Sequence, residues 1–208
     1  MANTDNSKKQ SRKLLGVIWI LFIVVLGIFG FYVYTKRDNV ADDLGITTRF
    51  SYQTNANQDI NALVITYQNA MAASDQDILK ACVTDPSKFD DMSDIQSLSK
   101  VVTSYNNINC YTVKGLDDNS TLCYAVANIT ITGVESKPLD MLGPFYIVKK
   151  DGHYLIDNGT LSSDVQKYME KANKDKDIQE LYQMVKADQD AKSSQDTALK
   201  DFLDRLNN

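Results

Sequence analysis

The run from Leu14 to Tyr34, LLGVIWILFIVVLGIFGFYVY, constrains this chain more than any other feature: it holds 21 residues and no charge. A helix rising about 1.5 Å per residue reaches roughly 31 Å over that length, against a hydrocarbon core of about 30 Å. Fifteen of the residues are Leu, Ile, Val or Phe. At about −0.3 to −0.6 kcal/mol each, they favour insertion by roughly 5 to 9 kcal/mol. A buried core helix this long would keep a polar face. A cleaved leader would have a shorter apolar stretch and a small-x-small cleavage site. The nearest such triplet, Asn39-Val40-Ala41, follows Lys36 and Arg37 and has Asn where a small residue belongs. The run is expected to be an uncleaved N-terminal transmembrane helix, contacting the lipid bilayer through residues 14–34.

Flanking charge predicts its orientation. Lys8, Lys9, Arg12 and Lys13 precede the run, and Lys36 and Arg37 follow it. Positive charge stays cytoplasmic, so the amino terminus is expected inside the cell and the C-terminal domain outside the cell membrane. The whole chain carries 22 Lys and Arg against 27 Asp and Glu, a formal charge of −5. Since six of the cations flank the apolar run, the remainder is more acidic still. An acidic surface repels phosphates, which argues against nucleic-acid binding by the ectodomain. Cys82, Cys110 and Cys123 show no metal-ligand spacing, and His153 is the single histidine. A zinc site with several His ligands is therefore excluded, and neither metal nor cofactor is expected.

Residues 1–13 read as a basic tail and 35–56 as a polar linker, with a short strand at Ile46 to Tyr52. The first helix begins near Asn57, where Ile60, Leu63, Val64, Tyr67 and Met71 form one apolar stripe. Ser74 is the expected N-cap of a second helix. A third is expected from Ser93, with Gln96 completing a capping box and the stripe running through Ile95, Leu98, Val101, Val102 and Tyr105. From Leu122 to Thr132 the period changes to two. Cys123, Ala125, Ala127, Ile129 and Ile131 share one face, and Tyr124, Val126 and Asn128 take the other, predicting an antiparallel strand with one buried face. Asp151-Gly152, between two β-rich runs, predicts a tight hairpin. Beyond Gly159 the chain is expected to form a polar helical extension over 161–208, laced by acid-to-base pairs such as Asp188/Lys192, Asp196/Lys200 and Asp201/Arg205. The sequence therefore predicts an α+β chain: a transmembrane helix, three helices on a curved antiparallel sheet, and a polar helical tail.

Two segments, Ala62 to Thr84 and Pro144 to Gly159 with Tyr154 after the turn glycine, resemble the NTF2-like (cystatin-like) cone. The likeness covers residues 57–160. It implies a cone that serves either a non-catalytic binding role or, in the enzymes of the superfamily, isomerase- or dehydratase-type chemistry. Tyr67, Tyr105 and Tyr124 are the polar-tipped residues nearest the predicted core, with no acid visibly paired to them. They are expected to fill volume, or to be the ligand contacts if the cone is open. Cys110 and Cys123 are placed as diagonal neighbours, either a disulfide or, with Cys82, buried free thiols.

The leading expectation is a non-enzymatic, membrane-anchored interaction domain of the bacterial cell envelope, with an unidentified protein partner or a second copy of itself. Its layout resembles that of anchored assembly components of secretion and conjugation systems. The alternative is a small-molecule-binding or isomerase-like domain tethered to the membrane. A cone filled with side chains would favour the first; a cavity holding a carboxylate of raised pKa would favour the second.

Overall fold

The computed structural model describes residues 50–206. The expected transmembrane helix at 14–34 lies outside them, as does most of the expected strand at 46–52. Among the described residues no helix is long and apolar enough to cross a membrane.

Phe50 already belongs to the folded unit. Its N–H donates to Asp175 Oδ2 at 3.1 Å, and its ring meets Tyr168 edge-on at 5.3 Å. Strand β1 follows as two residues, Gln53–Thr54. Helix α1, Gln58–Ala73, starts where the Asn57 side chain accepts the N–H groups of Asp59 and Ile60. Its buried line runs Ile60, Val64, Gln68. Ser74 does not cap the next helix. It ends α1 in a left-handed conformation (φ 54°), and Asp75 caps α2, Gln76–Ala81, by accepting from Ile78 N. A 3-10 turn occupies Pro86–Phe89. Helix α3, Ser93–Leu98, lacks the expected capping box: Ser93 is its first helical residue and donates its N–H to Asp91 Oδ1 at 2.9 Å. The expected continuation of this helix to Tyr105 is also corrected, because strand β2, Val102–Lys114, begins four residues after Leu98. Val101, Val102 and Thr103 are β-branched and pack better on a pleated surface than in a helix.

Strands β3 (Ser120–Ile131), β4 (Leu139–Lys150) and β5 (His153–Ile156) complete a five-stranded antiparallel sheet in the order β1-β2-β3-β4-β5. The β4–β5 hairpin turns on Asp151 (φ 51°) and Gly152 (φ 84°), the two positive φ values that a two-residue type I′ turn requires. Three register shifts interrupt the sheet, the first between Val102 and Ser104 on β2. A bulge between Asn106 and Asn109 on β2 holds Asn107 at φ 52°. On β4 a shift opposite Cys123 and Ala125 centres on Gly143 (φ 94°) and a cis Gly143–Pro144 bond. A Cβ on Gly143 would lie 2.8 Å from Phe145 N.

The remaining helices are α4 (Ser163–Asn173), α5 (Lys176–Ser193) and α6 (Thr197–Leu206). They correct the sequence-based architecture, which placed three helices on one face of the sheet and left a polar helical tail. Both faces are covered. Cys123, Ala125, Ala127 and Leu142 pack under Ile60, Val64, Leu79 and Phe89 of the first helical layer. Leu122, Tyr124, Val126 and Met141 pack under Ala172, Ile178, Leu181, Tyr182 and Val185 of α4 and α5. The physical reason is that an apolar stripe one residue wide at Ile178, Leu181, Tyr182 and Val185 suffices to dock a helix, however charged its other faces. Helix α6 closes a third cluster, Leu199, Phe202 and Leu203 against Leu98, Val102, Ile129 and Ile131. Of the three acid-to-base pairs, Asp188–Lys192 forms at 2.8 Å. Asp196 instead caps α6, Lys200 pairs with Asp204, and Arg205 Nε donates to the Asp201 carbonyl.

Candidate functional site

Strand β5 pairs with β4 over residues 147–150, so no strand flanks the outer edge of Leu139 to Phe145 among the described residues. A cavity of about 710 Å³ opens against this stretch, within the range of small-molecule sites. Helix α1, β2 and β3 form its inner wall, and α5 and α6 form its outer wall. Met71, Leu98, Ile129, Ile131, Leu142 and Phe202 make most of that surface apolar.

Polar groups interrupt it on both walls, Lys186, Gln189, Asp190, Lys200 and Asp204 among those of α5 and α6, with four more opposite them. Tyr67 and Gln68 come from α1, Tyr105 from β2 and Asp140 from β4. Tyr67 stands between two aromatic rings, edge-on to Phe145 at 5.9 Å and to Phe89 at 6.3 Å. Burial, with a smaller effect of neighbouring Cys82, pushes the Tyr67 hydroxyl up to about 12. Burial also raises Tyr105, reinforced by the nearby charge of Asp140 and then by Tyr67. Asp140 pairs with Ala127 in the β3–β4 register, which places it with Leu142 on the α1 side of the sheet. Enclosure by protein raises its carboxyl to about 6, opposed by a hydrogen bond from the Met141 backbone. Gln68 is 6% exposed, yet its carboxamide has no hydrogen-bond partner among the described residues. The Tyr67 and Tyr105 hydroxyls likewise have none there. Of the four residues Gln68 alone is buried; Tyr67, Tyr105 and Asp140 are half-buried, and the buried side-chain atom left without a partner among the described residues is Asn61 Oδ1, so the polar tips at the cavity are open to water or a ligand there. Chemically, the set can donate to an acceptor, accept from a donor and exchange a proton near neutral pH.

The three tyrosines named from sequence do not meet. Tyr67 and Tyr105 share the cavity, whereas Tyr124 faces the opposite side of the sheet. There it is fully buried and donates to Asn173 Oδ1 at 2.6 Å. Burial raises its pKa, with Tyr182 the next contributor. Cys110 and Cys123 are indeed diagonal, opposite Ala125 and Thr112 respectively. Both are fully buried free thiols joined by a hydrogen bond, which lowers Cys110 and, together with burial, raises Cys123. Cys82 is also a free buried thiol. His153 lies exposed at the hairpin, away from the cavity lining. Among the described residues no cluster of His, Cys, Asp or Glu could hold a metal.

No family model, no curated protein and no solved structure matches the chain. The site therefore has to be read from its own geometry.

Sequence reasoning missed Asp140 and Gln68, though each left a trace. Gln68 continues the Ile60, Val64 line at a spacing of four, a polar residue on the apolar stripe. Asp140 is a lone acid in Pro138-Leu-Asp-Met-Leu142, two residues from inward-facing Leu142.

Proposed function

We propose that residues 50–206 form a small-molecule-binding domain, held at a lipid bilayer by the apolar run at 14–34, which takes up an apolar compound bearing one polar group. The observation that carries this reading is the set of Tyr67, Gln68, Tyr105 and Asp140 facing one largely apolar cavity without side-chain partners of their own. The resemblance of residues 57–160 to NTF2-like cones supports the same reading, because that superfamily uses the interior of the cone. The basic residues before the apolar run support an extracytoplasmic position for the domain. The raised carboxyl of Asp140 beside Tyr105 suits proton exchange with the bound compound, the isomerase-like form of the proposal.

The test uses the full chain in lipid nanodiscs, with empty nanodiscs as the control. Melting by circular dichroism and native mass spectrometry would be run against linear alcohols of eight to twelve carbons. A compound at a hundred times its dissociation constant stabilises the fold by about 2.7 kcal/mol. A one-to-one adduct with a raised melting temperature is expected. If every compound leaves both readouts unchanged, the cavity is no site for apolar molecules.

A further inference from the structure

Resting on the ligand-binding reading, we propose the class of compound: a cationic amine on an apolar body, its ammonium paired with Asp140 inside the aromatic wall of Tyr67, Tyr105 and Phe145. The argument begins with charge. Asp140 is a half-buried carboxyl at the cavity surface, and no cation among the described residues acts on it. The two lysines that line the same space are committed elsewhere: Lys186 pairs with Asp190 at 2.6 Å, and Lys200 pairs with Asp204. Both pairs are exposed at the mouth, on α5 and α6. A half-buried carboxylate with no counter-ion is incompletely solvated, and a ligand cation offsets that.

The walls point the same way. Aromatic faces attract ammonium groups, and desolvation strengthens the attraction. Tyr67, Phe145 and Tyr105 supply three rings on the sheet side of the space, and Tyr182 and Phe202 add two more from α5 and α6. The partnerless Gln68 carboxamide offers an oxygen that can accept from an ammonium N–H. An anionic ligand head would instead meet a like charge at Asp140. A neutral head would leave the carboxylate unpaired.

The groups facing Asp140 fix the pH behaviour. Tyr105 on β2 and Tyr67 on α1 both stay protonated through neutral pH, being raised by burial. The lysine–aspartate pairs on α5 and α6 complete the charged lining and neutralise each other. Asp140 is the lining carboxyl whose proton affinity is raised into the mildly acidic range. Amine affinity should fall as the pH drops through it.

The experiment compares n-decylamine, decyltrimethylammonium and n-decanol, which share one chain length, on the full protein in zwitterionic nanodiscs with empty discs subtracted. The wild type is expected to bind either cation at least tenfold tighter than the alcohol at pH 7.5, with that preference shrinking at least fivefold at pH 5. Asp140→Asn should abolish the preference, and Asp140→Glu should restore part of it. Cations that bind no tighter than decanol overturn the amine proposal and leave the ligand-binding reading standing. Failure of all three compounds overturns both. The wild-type comparison decides the matter even if a variant does not fold.

Discussion

Asp140 shows how one side chain can carry both a cost and a use. It lies between Leu139 and Met141, and strand alternation turns it towards α1 rather than α5. Its carboxyl is raised from 3.8 to about 6, so the fold favours the neutral acid. The unfolded chain releases this proton near the usual carboxyl value. Between there and about pH 6 the folded state therefore holds more protons, and stability falls as pH rises through that window. Asp140→Asn should remove the fall, making the variant more stable than wild type by about 1 to 3 kcal/mol at pH 7 and equal to it near pH 4. Urea melts at the two pH values would measure this, and a pH-independent difference would exclude the assignment. The tyrosines divide in the same manner. Tyr67→Phe and Tyr105→Phe remove hydroxyls with no described partner and should shift stability by under about 0.5 kcal/mol, whereas Tyr124→Phe breaks the bond to Asn173 and should cost about 0.5 to 1.5 kcal/mol. Alternation along β3 already grouped Tyr124 with Val126 on the outward face. What the sequence concealed was that this face is buried too.

At the scale of elements, turn chemistry was the most legible signal. Asp151-Gly152 forms the expected hairpin, and Gly152→Val would force a β-branched residue to φ 84°. The loss should be about 1 to 3 kcal/mol, read as a lower melting temperature; an unchanged melt would remove the turn assignment. Helix boundaries were less legible. The spacing of Ile95, Leu98, Val102 and Tyr105 fits a helix, yet the same residues serve a short helix and then a strand. Helix α6 depends on a cap that sequence reasoning assigned to an ion pair. Asp196 accepts from Leu199 N at 3.0 Å, and from Ser136 N and Oγ at 2.9 and 2.7 Å. Those hydrogen bonds, first among them the Ser136 backbone, hold its carboxyl down at about 2. A depressed carboxyl stabilises the fold above the usual carboxyl value and loses that contribution as pH falls towards 2. Asp196→Ala should lower the melting temperature at pH 7, with the gap to wild type closing near pH 2. A gap that persists there would show that the cap acts through shape rather than charge.

For the molecule as a whole, the two-sided burial of the sheet decides what can be removed. The residues after Gly159 read as a solvated extension because lysines and aspartates outnumber the few apolar positions that dock them. Ending the chain at residue 160 would uncover Leu122, Tyr124, Val126, Met141 and Tyr146 together. Each buried side chain of this size contributes about 1.5 to 3 kcal/mol, and the joint patch would promote association. The shortened chain should aggregate on expression while the full chain remains dispersed, as light scattering would show. The free side of β2 bears on the same behaviour. Strand β1 covers Tyr111 and Thr112, and beyond them the edge is broken by the bulge around Asn107. A second molecule approaching from that side finds its N–H and C=O groups out of step with those on offer. Strand-by-strand growth of concentrated protein through that side of β2 is thereby disfavoured.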